Sequence, residues 1–193
     1  MTAPIRDALL LCAGLLTLAA VARSFARSLR RDGGRHFGLG SGSVFDAFTT
    51  RYGSWLFGAV VALAISDHLL RSPAFPADLQ DIASALFLAF CSLLMWTDRR
   101  LANHFDHYHA DTPALMTVGP YAWLRHPRYA CWIGLLVTLT VALCSAVGLL
   151  DALAFVPLVV RRVRLEERFL LDLYGNRYAD YALQTDRLVP GLW

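Results

Sequence analysis

The chain has 193 residues, 56% of them hydrophobic, a mean hydropathy of +0.45 and a formal net charge of +3. That is too apolar for an ordinary soluble domain and points to a small, single-domain, all-α integral membrane protein. All 18 basic residues are arginine, with no lysine, so their placement matters more than their sum and no nucleic-acid partner is expected.

The first apolar run is Ala8 to Ala22. A secretory signal carries its charge in front, whereas here Arg23, Arg27, Arg30, Arg31 and Arg35 follow, so a first transmembrane helix entering near Ile5 is expected. The loop from Ser24 to Ser54 contains Gly38-Leu39-Gly40-Ser41-Gly42 but no phosphate-loop GK[ST], and reads as a flexible connection. Trp55 to Leu70 is the second run, closed by Arg71 and the turn Ser72-Pro73-Ala74-Phe75-Pro76, with Asp67 and His68 expected at the interface. Ile82 to Trp96 is the third, stopped by Asp98-Arg99-Arg100. Both are shorter than the ~20 residues that cross a bilayer, so they must recruit flanking residues such as Gly53 and Leu79 or sit in a thinned region. The polar stretch Leu101 to Thr117 holds His104, His107 and His109, but no fourth ligand is evident and no metal site is expected. Cys12, Cys91, Cys131 and Cys144 lie in apolar runs without metal or CxxC spacing and read as small core residues.

Tyr129 to Val160 is again apolar. As one helix its length would be about 48 Å, far more than one crossing needs. A hairpin is predicted, turning near Cys144-Ser145-Ala146-Val147-Gly148 or at Asp151, with Pro157 in its second arm. Placing Arg23–Arg51, Arg99–Arg128 and Arg161–Arg187 on one side puts six, four and six arginines there, sixteen of eighteen. This positive-inside split predicts five membrane segments, N-terminus out and C-terminal tail in the cytoplasm. The absence of lysine is compatible with a GC-rich bacterial source, where the location would be the inner membrane.

Between loop and hairpin lies Gly119-Pro120-Tyr121-Ala122-Trp123-Leu124-Arg125-His126-Pro127-Arg128-Tyr129. The two prolines bias Gly119 and His126 away from mid-helix geometry, holding Arg125, His126 and Arg128 among three aromatic rings at a membrane boundary. Such a stretch suits a polar, partly aromatic ligand, or simply an interfacial anchor. After the hairpin, Arg161 to Tyr181 is helix-compatible, with Glu167, Leu170, Leu171, Tyr174, Tyr178 and Tyr181 along one stripe unless Gly175 ends the helix. Glu166 and Glu167 are the only glutamates in the chain. They read as ligand carboxylates or as a solvated turn with weak pairing to Arg162 one turn earlier.

Jointly, Gly119-Pro120-Tyr121, Arg125-His126-Pro127-x-Tyr129, Glu166-Glu167-x-x-Leu170, Tyr174-Gly175-x-x-Tyr178-x-x-Tyr181 and Arg187-x-x-Pro190 resemble the isoprenylcysteine carboxyl methyltransferase family, with its related phospholipid methyltransferases. The resemblance covers about 119–193, while 1–100 matches only in being transmembrane. It implies an integral-membrane methyltransferase dependent on S-adenosylmethionine, the cofactor wrapped by the RHP segment, the end of the last membrane helix and the C-terminal tail. Carried over, Tyr121, His126, Pro127, Tyr129, Glu166 and Glu167 belong to the cofactor pocket, with Tyr178 and Arg187 as supports. Cys131 departs from the glycine the family often has there.

The residue types suit that chemistry. Carboxylates match an ammonium or ribose hydroxyls, and aromatic rings match adenine and a sulfonium. Methyl transfer relies on positioning and desolvation, with His126 the candidate base if the nucleophile arrives protonated. Arg125 or Arg162 would orient an anionic acceptor. The acceptor expected at a membrane boundary is a lipophilic molecule or lipid with a carboxylate, thiol or amine head, and no obligate protein partner is evident. A second resemblance is to membrane sterol and steroid reductases, whose RHPxY-containing region serves NADPH, although the Glu pair with the Tyr-Gly-x-x-Tyr-x-x-Tyr run looks closer to the methyltransferases. A third alternative is a non-catalytic membrane scaffold that binds neither cofactor.

Overall fold

The computed structural model describes residues 47–70, 75–107 and 114–192 together with Ala8, Cys12 and Leu15, and side chains over 56–70, 75–101 and 114–192. The order is α1 (Ala47–Leu70), α2 (Ala77–His107), a 3-10 turn (Gly119–Ala122), α3 (Pro127–Ala142), α4 (Ala146–Tyr174) and α5 (Asn176–Gln184). Among the described residues the fold is all-helical, and the only extended pairing is an isolated parallel bridge between Leu124 and Asp186. The first apolar run falls outside the described residues apart from Ala8, Cys12 and Leu15, which are helical and exposed.

Helical spacing explains the core. Phe57, Val60, Val61 and Ala64 share one face of α1, and Ala152, Phe155, Val159 and Val163 one face of α4. With Phe87 of α2 and Leu136 and Leu139 of α3 they form one buried cluster. The opposite faces are equally apolar: Leu63, Leu69, Leu70, Ile82, Leu86 and Leu88 are all exposed. An apolar helix surface outside a packed core is the pattern of a lipid-facing bundle. Ala77–Leu101, with mean hydropathy 1.6, is long and apolar enough to cross a bilayer, and Leu56–Leu70 and Pro127–Ala142 are shorter apolar helices.

The short apolar runs do recruit their neighbours, α1 taking in Gly53 and α2 Leu79. Asp98-Arg99-Arg100 ends the apolar run but not the helix, because nothing in that triplet breaks the backbone, and α2 continues to His107. The side chains of His104 and His107, and all of His109, lie outside the described residues. Cys131 and Cys144 are buried free thiols, Cys91 is half-buried and Cys12 exposed. Helices α2 and α3 meet at Gly134, where a Cβ would sit 2.5 Å from carbons of the Phe90 ring.

The hairpin turns where expected, at Leu143–Ser145 between α3 and α4. Asp67 and His68 do more than mark an interface: the Ser145 hydroxyl donates to Asp67 Oδ2 at 2.7 Å, and His68 Nδ1 lies 3.0 Å from the Leu143 carbonyl. The Ser145 hydroxyl also accepts from the Gly148 amide at 2.9 Å, capping α4. Ser145 has no exposed surface, so Ser145→Ala removes a cap and a buried hydrogen bond together. A loss of about 1–3 kcal/mol in unfolding free energy is expected in detergent, and an unchanged denaturation midpoint would contradict it.

Candidate active site

The organising stretch folds as its prolines dictate. Gly119 takes a left-handed φ of +67° at the start of the 3-10 turn, and Pro120 sits in its first helical positions. The Trp123 and Leu124 amides both donate to the Pro120 carbonyl, at 3.3 and 3.2 Å. His126, with φ −128°, stands just before α3, and Pro127 opens that helix.

The C-terminal tail then pairs with this stretch through its backbone. The Arg125 amide donates to the Asp186 carbonyl at 2.7 Å, the His126 amide to the Arg187 carbonyl at 3.1 Å, and the Asp186 amide to the Trp123 carbonyl at 3.3 Å. Asp186 in turn accepts the Gly191 amide at 2.7 Å, curling the tail beyond it. Tyr181 of α5 donates from its hydroxyl to the Tyr121 carbonyl at 2.7 Å. The stripe expected to run through Tyr181 is split at Gly175, whose φ of +56° ends α4 and starts α5 in a new direction. Tyr178 is thereby buried at 4% exposure, while Leu171 on α4 stays exposed.

Glu167 is the knot. Its Oε1 accepts from Arg125 Nε at 2.8 Å and its Oε2 from Arg187 Nε at 2.8 Å. His126 Nε2 lies 3.7 Å from Oε1, in contact range but too long for a hydrogen bond. Burial alone would push the Glu167 carboxyl up, but the His126 imidazole and the Arg125 and Arg187 guanidiniums hold it down at about 2. Arg125 also donates from Nη1 to the carbonyls of Ala182, at 2.6 Å, and Thr185. One guanidinium thus ties α4, α5 and the tail to the RHP stretch.

Glu166, one residue earlier and about 100° round the helix, serves a separate pair. Tyr129 donates to Glu166 Oε2 at 2.9 Å, and Arg162 Nε donates to the Tyr129 hydroxyl oxygen at 3.2 Å. The two glutamates are therefore not a solvated turn, since both reach across the fold to the RHPxY motif. The candidate cofactor and catalytic residues converge here: Tyr121 by its carbonyl, Pro127 by setting the helix start, and Arg125, His126, Tyr129, Arg162, Glu166, Glu167, Tyr178 and Arg187 by their side chains. Arg128 turns away, pairing with Asp98 of α2 at 2.7 Å, both groups partly exposed.

Two buried polar atoms of this cluster, His126 Nε2 and the Tyr178 hydroxyl, have no hydrogen-bond partner among the described residues. Burial raises the Tyr178 hydroxyl above its ordinary value, with the Glu167 charge adding to the shift, so it stays a neutral donor. Buried donors and acceptors are ordinarily satisfied, so two orphans beside a carboxylate knot mark where a polar ligand would bond. Motifs alone did not reveal Asp186, the Ala182 and Thr185 carbonyls, or Asp98. Backbone acceptors leave no residue-type signal, and Asp98 reads as an ordinary charged stop.

Residues 83–172 match the model of the isoprenylcysteine carboxyl methyltransferase family. The chain resembles that family. The matched stretch spans α2 through most of α4 and includes the RHPxY turn and both glutamates. Similar proteins include the protein-S-isoprenylcysteine O-methyltransferases of Mus musculus, 37% identical over 93 residues, and Tribolium castaneum, 36% identical over 80 residues. These alignments cover 46% and 39% of this chain but only 33% and 27% of the two relatives, so the chain spans about a third of their length or less. The cobalt-zinc-cadmium resistance protein CzcN of Cupriavidus metallidurans is 37% identical over 79 residues, 40% of this chain and 36% of that protein. The solved structure of a eukaryotic intramembrane Ras methyltransferase, isoprenylcysteine carboxyl methyltransferase, aligns with a TM-score of 0.53 at 14% identity, covering 100% of this chain and 88% of that one. At that identity the likeness is one of fold alone.

Proposed function

We propose that the chain is an integral-membrane S-adenosylmethionine-dependent methyltransferase acting on a lipophilic acceptor with a carboxylate, thiol or amine head. The observation that carries it is the convergence of RHP turn, glutamate pair and tail around His126 Nε2 and the Tyr178 hydroxyl, both buried and unsatisfied among the described residues. Those atoms, with the Glu166 carboxylate and the Tyr129 ring, fit a zwitterionic nucleoside cofactor: carboxylate for ammonium or ribose, ring for sulfonium. When bound, the cofactor supplies an electrophilic methyl group for in-line transfer to the acceptor.

The residues divide the remaining work. Glu167 and Arg125 use their polar atoms on each other and on the tail, so they hold the pocket's walls together. Arg162 orients the Tyr129 hydroxyl, and Tyr129 orients Glu166. His126, buried beside them, takes the acceptor's proton if the nucleophile is a thiol or an ammonium, and has no proton to take from a carboxylate. The exposed apolar faces of the bundle favour an amphiphile whose tail stays in lipid while its head reaches the site. Calorimetric titration of the detergent-solubilised protein is the test. S-adenosylhomocysteine should bind and NADPH should not, and Glu166→Ala should weaken binding by on the order of 1.5–3 kcal/mol. NADPH binding alone would replace this reading with the reductase one. Labelled methyl transfer should then rise with acceptor tail length, and a flat series would point to a small soluble acceptor.

Five membrane segments with the tail in the cytoplasm complete the proposal, supported by the sixteen-to-two arginine split. Reporter fusions after Arg35, Phe75 and Trp193 read this directly. A periplasmic signal at Trp193 would overturn it.

A further inference from the structure

The apolar outer side of α2 does not end with its apolar run. Met95 and Trp96, both exposed, lie in the turn before Asp98-Arg99-Arg100. The 3-10 turn packs against this end of the helix. A Cβ at Gly119 would meet the Trp96 ring at 3.9 Å and the side-chain carbons of Arg100 at 3.8 and 3.9 Å. On either side of that contact stand Val118, 57% exposed, and Trp123, 66% exposed. A 3-10 turn rises about 2 Å per residue, so the two are about 10 Å apart along it. Single exposed apolar residues are ordinary on a soluble surface. This edge differs, because it continues the outer face of a helix long and apolar enough to cross a bilayer.

The charges at the same level complete the pattern. Asp98 is paired with Arg128 at 2.7 Å, and the exposed charged residues beside the edge are Arg99 and Arg100. Arg100 lays its aliphatic stem along the turn, as arginines do where the stem meets an apolar layer and the head meets polar groups. Tryptophan favours the headgroup level of a bilayer, and arginine gains from an anionic surface there. We propose that Trp96, Val118 and Trp123, with Arg99 and Arg100, seat the 3-10 turn in the headgroup layer of an anionic bilayer leaflet. Arg125 follows Trp123 by two residues, so the seat holds the RHP turn at the membrane boundary rather than in water beyond it. The inference needs α2 in the membrane and is independent of the methyltransferase reading.

Tryptophan quenching tests it on the full chain, reconstituted in phosphatidylcholine vesicles with or without phosphatidylglycerol. The emission of Trp123 is the difference between the native chain and Trp123→Phe. Bromine high on the lipid chains should quench it more than bromine near the chain ends, and aqueous iodide should quench it weakly. Val118→Trp adds a second reporter at an exposed position, and its added emission should follow the same order. Strong iodide quenching without bromolipid quenching would place the edge in water and overturn the seat. Protection from both quenchers would mean that a second copy or another protein segment covers the edge, and would overturn it equally. Headgroup preference is read by carrying the bromine on phosphatidylglycerol or on phosphatidylcholine, at one fraction in otherwise identical vesicles. The brominated phosphatidylglycerol should quench the native chain about threefold more effectively, as two arginines near an anionic surface allow. Arg99→Gln combined with Arg100→Gln should bring that ratio close to one. Equal quenching by both lipids in the native chain, or a ratio unchanged in the double variant, would overturn the anionic assignment.

Discussion

Glu167→Ala is expected to destabilise the protein by on the order of 3 kcal/mol, the cost of stranding a buried charge, and to abolish cofactor binding with it. The stranded group is Arg125, whose side chain is 9% exposed and whose Nε would lose its carboxylate. Arg187, at 31%, lies closer to water and adds less, so Arg187→Ala should cost well under half as much. Thermal unfolding in detergent reads both, with a fall of roughly 6 °C or more for Glu167→Ala at this chain length. A shift within experimental scatter would mean that the knot does not hold the tail. The same residue sets an acid limit. Its folded-state value of about 2 lies below the ordinary 4.5, so the stability it contributes is complete above about 4.5. That contribution is lost as the pH falls from there toward 2. In Glu167→Gln this part of the acid sensitivity should vanish.

Gly134→Val is the second large effect, expected at about 1–3 kcal/mol from overpacking. The added Cβ would fall 2.5 Å from the Phe90 ring, far inside contact distance, so either the ring turns out of the α2–α3 seam or the helices part. Phe90→Ala alone leaves a void and also destabilises. Together the two substitutions should cost clearly less than their sum, because each relieves what the other creates. Strict additivity in a double-mutant cycle would show that ring and glycine are not in contact.

Much of this site was legible because its chemistry is written in side chains. RHPxY, the only two glutamates and Gly175 each stand out by residue type, and each sits where the backbone logic of proline and glycine puts it. The hairpin turn was legible because an apolar run of that length cannot stay one helix. The grip of the tail was not: the Arg125 to Asp186 and His126 to Arg187 bonds use backbone atoms, which any sequence supplies. The latch of Ser145 on Asp67 was hidden for another reason, as its partners lie 78 positions apart and each alone reads as an ordinary interfacial polar residue. The reach of α2 beyond Asp98-Arg99-Arg100 was not legible, since charge stops lipid contact without stopping a helix.

Helix α4 is fastened at both ends, by Ser145 to Asp67 and by Glu166 and Glu167 to the RHPxY turn. Such a helix accepts exchange of side chains along its length far more readily than a change in residue number. Deleting one residue between the fastenings turns everything beyond it by about 100° and draws it back by about 1.5 Å. Glu167 would then fall at the place of Glu166 and Glu166 at that of Leu165, and neither carboxylate would meet its own partners. Insertions and deletions in the lineage of this chain should therefore collect in the loops before the 3-10 turn and avoid α4, whose length acts as a ruler between latch and site.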